Sequence, residues 1–192
     1  MNDREESIAL AAIRTYQAKG VRRTTMSDIA KEAGVTRQTV YNCFANTDAV
    51  LRGAIRLFIG DLWARITEAW ATCETLEQKM DILLQHFAIE PWDFLNSSAE
   101  AAQLEGGYND AGRAEIAAAR LGFRGDIAAL FQPWQHRLTR QGTSPLAVAD
   151  FISAAIEGLK YNNKTRQDML VAVATLKAAV LALTDEPVGG GD

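Results

Sequence analysis

The chain has 192 residues, 48% of them apolar and 23% charged, with a net charge of −4. This is the balance of an ordinary globular protein, long enough for a sizeable core in one domain or in a small domain joined to a larger one, and its negative charge weighs against a broadly basic, nucleic-acid-coating surface. Two cysteines, Cys43 and Cys73, without CxxC spacing exclude a disulfide framework and point to no zinc site, while the lack of a long apolar run or a leader-like start makes a cytoplasmic protein the simplest expectation.

Residues 1–6 are polar and are expected to fray. Ile8, Ala12, Ile13 and Tyr16 then form a helical stripe that Gly20 ends. From Thr25 to Leu51 the pattern is two short helices around a tight turn. Thr25 suits an N-cap with Asp28 three residues on, Gly34 suits a left-handed C-terminal position, and Thr36 suits the cap of the second helix. That is a helix-turn-helix, in which the second helix enters the DNA major groove and Thr36, Arg37, Gln38 and Thr39 face base edges and phosphates. Arg37 suits guanine O6/N7, and Gln38 suits adenine N6/N7. The competing reading is a pair of amphipathic helices joined by a glycine turn, common in any helical protein. Charge distribution favours DNA more than the net value does. Residues 1–50 hold seven Lys/Arg against six Asp/Glu, so the excess of acid lies in the remainder. Lys19, Arg22 and Arg23 precede the motif, and Lys31 and Arg37 lie within it.

Asn46 is the expected cap of a long helix reaching about Thr72, with Asp48 in its first turn. Val50, Ala54, Leu57, Phe58 and Leu62 form one apolar stripe on it, and Ile59, Trp63, Ile66 and Trp70 another, so the helix is expected to be largely enclosed. Each Trp singly suits core packing; two a heptad apart also suit the wall of an apolar cavity. The next helix, carrying Leu76, Met80, Leu83, Leu84 and Phe87, must end or kink at Pro91. A shorter piece from Trp92 to Glu105 closes at Gly106-Gly107. A long helix from Asp110 to about Leu138, weakened by Gly112, Gly122 and Gly125, breaks near Pro133. Thr143 or Ser144 caps a helix that Pro145 opens and Phe151, Ile152, Ala155, Ile156 and Leu159 line. Thr165 caps the last, with Asp168 three residues on, followed by Leu170, Val173, Ala174, Leu176, Lys177, Val180 and Leu181. These two helices suit pairing with a second copy, or else completion of the monomer's own core. His86 stands four residues before Glu90, one weak metal-ligand pair, and suits a hydrogen-bonded cavity wall better. No catalytic or nucleotide-binding signature is present, so no enzyme, metal or cofactor is expected.

Ile29-Ala30, Ala33-Gly34-Val35-Thr36, Thr39-Val40-Tyr41, Phe44 and Leu51 stand in the order and spacing of TetR-type transcriptional regulators. Ile8, Ala11-Ala12, Tyr16 and Gly20 resemble that family's first helix. The resemblance implies an all-α protein of about nine helices: a three-helix DNA-binding domain over 1–46, a helical ligand-binding and dimerisation domain over 47–186, and a disordered tail over 187–192. It implies that Tyr41, Thr25 and Thr36 touch phosphate and that Val40 and Phe44 face the core. The DNA-contacting set is then Thr25, Thr36, Arg37, Gln38, Thr39, Tyr41, Asn42 and Thr47. Two positions depart from the family. Thr47 stands where lysine contacts the backbone, and Cys43 where an aromatic residue or His is frequent. Gln38 replaces what is often a small residue, which should alter the base read. The resemblance further implies a four-helix bundle across a two-fold axis, built from Phe151, Ile152, Ala155, Ile156, Leu159, Leu170, Val173, Ala174, Lys177, Val180 and Leu181. Candidate pocket residues are Trp63, Ile66, Trp70, His86, Trp92, Phe123 and Trp134, which suit an apolar or aromatic ligand. The expected partners are therefore a double-stranded operator, a second copy and a small molecule, most simply in a repressor. The alternatives are a DNA-binding protein that recruits a protein partner without a ligand, and a helical enzyme or carrier.

Overall fold

A computed structural model describes residues 1–97 and 109–184. All regular structure among them is helical: α1 (Asp3–Lys19), a 3-10 turn (Val21–Arg23), α2 (Met26–Glu32), α3 (Arg37–Cys43), α4 (Thr47–Ala71), α5 (Leu76–Leu84), a π turn (Gln85–Ile89), α6 (Glu90–Leu95), α7 (Asp110–Leu130), a 3-10 turn (Gln132–Trp134), α8 (Gln135–Arg140), α9 (Pro145–Asn162) and α10 (Arg166–Ala182). The π turn joins α5 and α6 into one rod, leaving nine rods among the described residues. The helix expected over 92–105 begins at Glu90 and stops at Leu95, with a turn at 96–97; its expected end, its closing glycines and the 187–192 tail lie outside the described residues.

The N-terminus corrects one expectation. Residues 1–6 do not fray, because Asn2 Oδ1 accepts from the Glu5 amide at 2.9 Å while the Glu5 carboxylate accepts from the Asn2 amide at 3.0 Å. This reciprocal capping box starts α1 at Asp3. At Pro91, where an end or a kink is expected, the helix does not end but is distorted just before the proline. The Glu90 N–H reaches back five residues to the Gln85 carbonyl, and the widened turn absorbs the ring's clash with the preceding turn and its missing N–H.

The chain forms two compact units, Met1–Ala64 with Leu95–Ala119, and Arg65–Phe94 with Arg120–Asp192. In the first, α1, α2 and α3 surround a core of Ile8, Ala12, Tyr16, Met26, Ile29, Ala30, Val40 and Phe44, which Val50, Leu51 and Ala54 of α4 complete. Burial pushes the Tyr16 phenol far above its usual pKa, with the Asp48 carboxylate adding to the effect. The Arg56 guanidinium holds the Glu115 carboxylate at 2.9 and 3.1 Å, and the Asn109 amide donates to Asp48 at 2.9 Å, tying the start of α7 to α4. In the second unit α9 packs against α10 and against the π turn, and α10 packs against α5. Lys177, expected at a partner surface, is half-buried and reaches across to α5, where it binds Glu77 at 3.1 Å and Asp81 at 2.7 Å. Arg166 makes a bidentate pair with Asp93 at 2.9 and 3.2 Å.

Gly53 marks where α4 passes the end of α3. A Cβ there would lie 2.7 Å from the Phe44 ring, and Phe44 is only 8% exposed with little room to retreat. Gly60, further along the same helix, faces open space. Gly53→Ala should therefore lower stability by about 1 kcal/mol or more, since overpacking outweighs the better helix propensity. Gly60→Ala should raise it by about 0.5–1 kcal/mol. Urea midpoints of the two variants check this, and equal shifts of the same sign would refute the close approach.

Candidate DNA-reading face

The motif is built from local bonds that its residue types dictate. Thr25 caps α2, its hydroxyl accepting from the Asp28 amide at 3.2 Å and donating to the Asp28 carboxylate at 2.7 Å. Asp28 also takes the Lys19 ammonium of α1, and this pairing, followed by the Thr25 bonds, holds its carboxyl well below the usual carboxylate range. Arg14 and Glu32 bridge α1 and α2 again at 2.7 Å. Gly34 has φ +67, a left-handed conformation that a Cβ would strain, and the Val35 amide returns to the Ala30 carbonyl at 3.0 Å. Thr36 then caps α3 by accepting from the Thr39 amide at 3.1 Å.

Only one α3 residue, Val40, is fully buried, and it pins the helix to the core. The opposite face is exposed and consists of Thr36, Arg37, Gln38, Tyr41 and Asn42, with Thr39 half-buried beside them. These side chains are ordered in pairs one turn apart. The Arg37 guanidinium lies 5.4 Å from the centre of the Tyr41 ring and donates to its hydroxyl at 3.2 Å. The Gln38 amide donates to Asn42 Oδ1 at 3.0 Å. The Thr36 and Thr39 hydroxyls are 2.9 Å apart. All eight residues expected to touch DNA lie in this one region, with Thr25 at the start of α2 and exposed Thr47 opening α4, whose cap is Asn46 through a 2.9 Å bond from Ala49.

The first unit also exposes cations. Arg22, Arg23, Lys31 and Arg37 are exposed, and Arg23 donates to the Lys19 carbonyl at 2.9 Å. Lys19 is less available, being engaged with Asp28. Sequence reasoning named Asp28 only as the box partner of Thr25. The signal for its second partner, a lysine ending the preceding helix nine residues earlier, is too general to use.

The other expected site residues fall differently. Trp63 is buried in the first unit; Ile66, Trp70, His86, Trp92, Phe123 and Trp134 belong to the second. Trp70 and Trp92 are buried with their indole N–H groups bonded to the Lys79 and Asn163 carbonyls, at 2.9 and 3.3 Å. Phe123 meets Phe87 edge to face at 6.0 Å. His86 Nδ1 is 2.8 Å from the Glu90 carboxylate. No group of three or more potential metal ligands occurs among the described residues, and none of their helices is long and apolar enough to cross a membrane.

On the two C-terminal helices the expected face divides. Ile152, Ile156, Val173 and Val180 are buried in their own unit and so are closed to a partner. Ala155, Leu159, Leu170 and Leu181 are half-buried, and Phe151 and Ala174 are exposed. The exposed apolar stripe includes residues that sequence reasoning missed: Leu146, Ala154 and Tyr161 on α9 and Val171 on α10. With Phe151 and Ala174 counted, the steps of three and seven (151 to 154, 154 to 161, 171 to 174) were the available signal, obscured because both helices are apolar most of the way round.

Residues 8–58 match the family of bacterial regulatory proteins described as the tetR family. An HTH-type transcriptional regulator of Bacillus subtilis, YerO, is 35% identical over 60 residues, which span 31% of this chain and about a fifth (21%) of that relative's length. Among solved structures, the fatty acid degradation regulator FadR of Bacillus halodurans superposes with a TM-score of 0.67 at 18% identity, over 94% of this chain and 96% of that one. A TetR-family regulator of Cytophaga hutchinsonii does so with 0.65 at 17%, over 93% of each. Over residues 8–58 this chain carries the helix-turn-helix domain of the TetR family of bacterial regulators, and along nearly all its length it has their fold.

Proposed function

We propose that the protein is a transcriptional regulator that binds a pseudo-palindromic operator as a dimer and is released from it by a small ligand, acting as a repressor. The observation that carries this reading is the exposed face of α3, where Arg37, Gln38, Tyr41 and Asn42 are presented together over a buried Val40. Base-reading groups set on a rigid capped helix are what major-groove recognition requires. Thr25, Thr36, Thr39 and Thr47 supply neutral donors to phosphate, and the exposed cations of the first unit supply charge. The reading face lies in the first unit, which takes in 47–64 and 95–119 beyond the 1–46 domain read from sequence, and ligand binding and dimerisation are assigned to the second.

Two copies would read two half-sites, and the stripe of Phe151, Ala154, Tyr161, Val171 and Ala174 supports α9 and α10 as the dimer face. The ligand is apolar or aromatic and is assigned to the second unit, whose aromatic residues include the Phe87–Phe123 pair and Trp134. Its effect on DNA is limited to the difference in its affinity for the DNA-competent and released arrangements. The name of the Bacillus halodurans regulator makes fatty acids the first probes.

Mobility shifts on the DNA flanking the gene should show sequence-specific binding at moderate salt, and Arg37→Ala with Gln38→Ala should weaken it by about tenfold or more. Unchanged binding by the double variant would remove α3 from recognition. Phe151→Asp should yield a folded monomer by light scattering at micromolar concentration and a weaker operator complex, because Phe151 is 53% exposed and carries no core. A dimeric mass for that variant would reject the α9–α10 interface. A bound fatty acid or aromatic acid at a hundred times its Kd should raise unfolding stability by about 2.7 kcal/mol and release DNA. A panel of such acids that leaves both melting and DNA affinity unchanged would reject the ligand class.

A further inference from the structure

Among the described residues one charged side chain is buried, that of Lys160 on α9, which is 7% exposed. It continues the row of Ile152 and Ile156, so its ammonium takes an apolar place on the face that α9 turns to its own unit. Removing an ammonium from water costs several kcal/mol, and a methionine or leucine would fill such a place without that cost. Glu157, one turn earlier, lies 3.9 Å from the Lys160 nitrogen, beyond hydrogen-bond distance, and also takes the Arg120 guanidinium of α7. Two cations thus share this carboxylate, whose single charge does not balance both. Three elements converge here. α9 packs against the π turn, Phe123 of α7 meets Phe87 of that turn edge to face at 6.0 Å, and Arg120 stands one helical turn before Phe123. One turn beyond Lys160, the Asn163 carbonyl accepts from the Trp92 indole N–H at 3.3 Å. An ammonium and aromatic side chains therefore meet at one junction of the second unit. That pairing matches a molecule with an anionic head and an apolar body.

We propose that Lys160 is the anion-binding residue of the ligand site, holding the carboxylate of an amphipathic acid whose apolar part lies against Phe87, Phe123 and Trp92. The proposal rests on the ligand reading above and deepens it: acids are ligands, and neutral molecules of the same shape are poor ones. An ammonium has three N–H donors, so Lys160 serves a ligand carboxylate while Glu157 stays beside it. The negative head joins two cations that share one carboxylate. Its charge-assisted bonds form away from water, where they are strong. An alcohol or ester with the same apolar part gains only the apolar contacts.

The test compares molecules that differ in the head alone, dodecanoate with dodecanol and naphthoate with its methyl ester, by calorimetric titration into the full-length chain. The wild type should bind at least one acid, and bind it about tenfold or more tighter than its neutral counterpart, as hydrogen bonds to a charged group imply. Lys160→Met and Lys160→Gln remove the charge while Glu157 keeps Arg120. Both should melt close to the wild type, because a neutral side chain replaces a buried ion. Each should bind acid and neutral counterpart alike to within about twofold, with the affinity for the neutral molecule unchanged. A lysine that only supports the core would move both affinities together. Equal binding of acid and neutral molecule by the wild type, or an acid preference that survives in both variants, overturns the role of Lys160 and leaves the ligand reading in place. A melting temperature far below wild type in both variants assigns Lys160 to the core and overturns it too. If none of the four molecules binds the wild type, the ligand reading fails and the proposal falls with it.

Discussion

The recognition helix is seven residues long, and a helix of that length does not persist in water on its own. Everything else in the first unit answers that constraint. The Thr36 cap and the left-handed Gly34 fix where α3 begins, Val40 anchors its one buried point, and Phe44 closes it against α4 at the place where only a glycine fits. The Asn2 and Thr25 capping boxes and the Arg14–Glu32 and Lys19–Asp28 pairs hold α1 and α2 beneath it. Each bond is worth little alone at an exposed position. Their common effect is to set the direction of one short helix, and that direction is what a base-reading surface needs.

Much of this unit was legible in the sequence because its signals are local. Thr25 with Asp28, Gly34, Thr36, Asn46, Ser144 and Thr165 stand where backbone N–H groups lack partners or φ turns positive, and each takes the role its chemistry dictates. The Asn2–Glu5 box was equally written in the chain, and was overlooked because a polar N-terminus reads as loose end. Pro91 was harder. Its ring rules out an ordinary turn, but nothing in the sequence chooses between ending the helix and widening one turn of it.

The second unit was least legible in the register of its helices. On α9 and α10 the apolar residues run most of the way round, so periodicity cannot tell the side that meets α5 and the π turn from the side left open. Ile152 and Phe151 are neighbours in sequence and opposite in environment. Lys177 reads as a surface charge until Glu77 and Asp81, about a hundred residues earlier, are seen beside it. Such contacts are long-range, and a local pattern does not carry them.

Electrostatics bears on how such a chain could hold DNA at all. Its net charge is −4, Lys19 is engaged by an acid, and position 47 offers a hydroxyl where the related regulators use a cation. Counterion release scales with the number of phosphates neutralised, so a reading head with few committed cations gains less from the backbone and loses less as salt rises. In the proposed dimer the difference would come from base contacts and from the joint engagement of two heads. The residues proposed to meet bases are held by neighbours: Arg37 by Tyr41, and α3 as a whole by Val40 and the passage of α4 across Phe44 at Gly53. With less nonspecific attraction to hold a misplaced head on DNA, recognition in this protein depends on how firmly a few short-range contacts orient its reading groups.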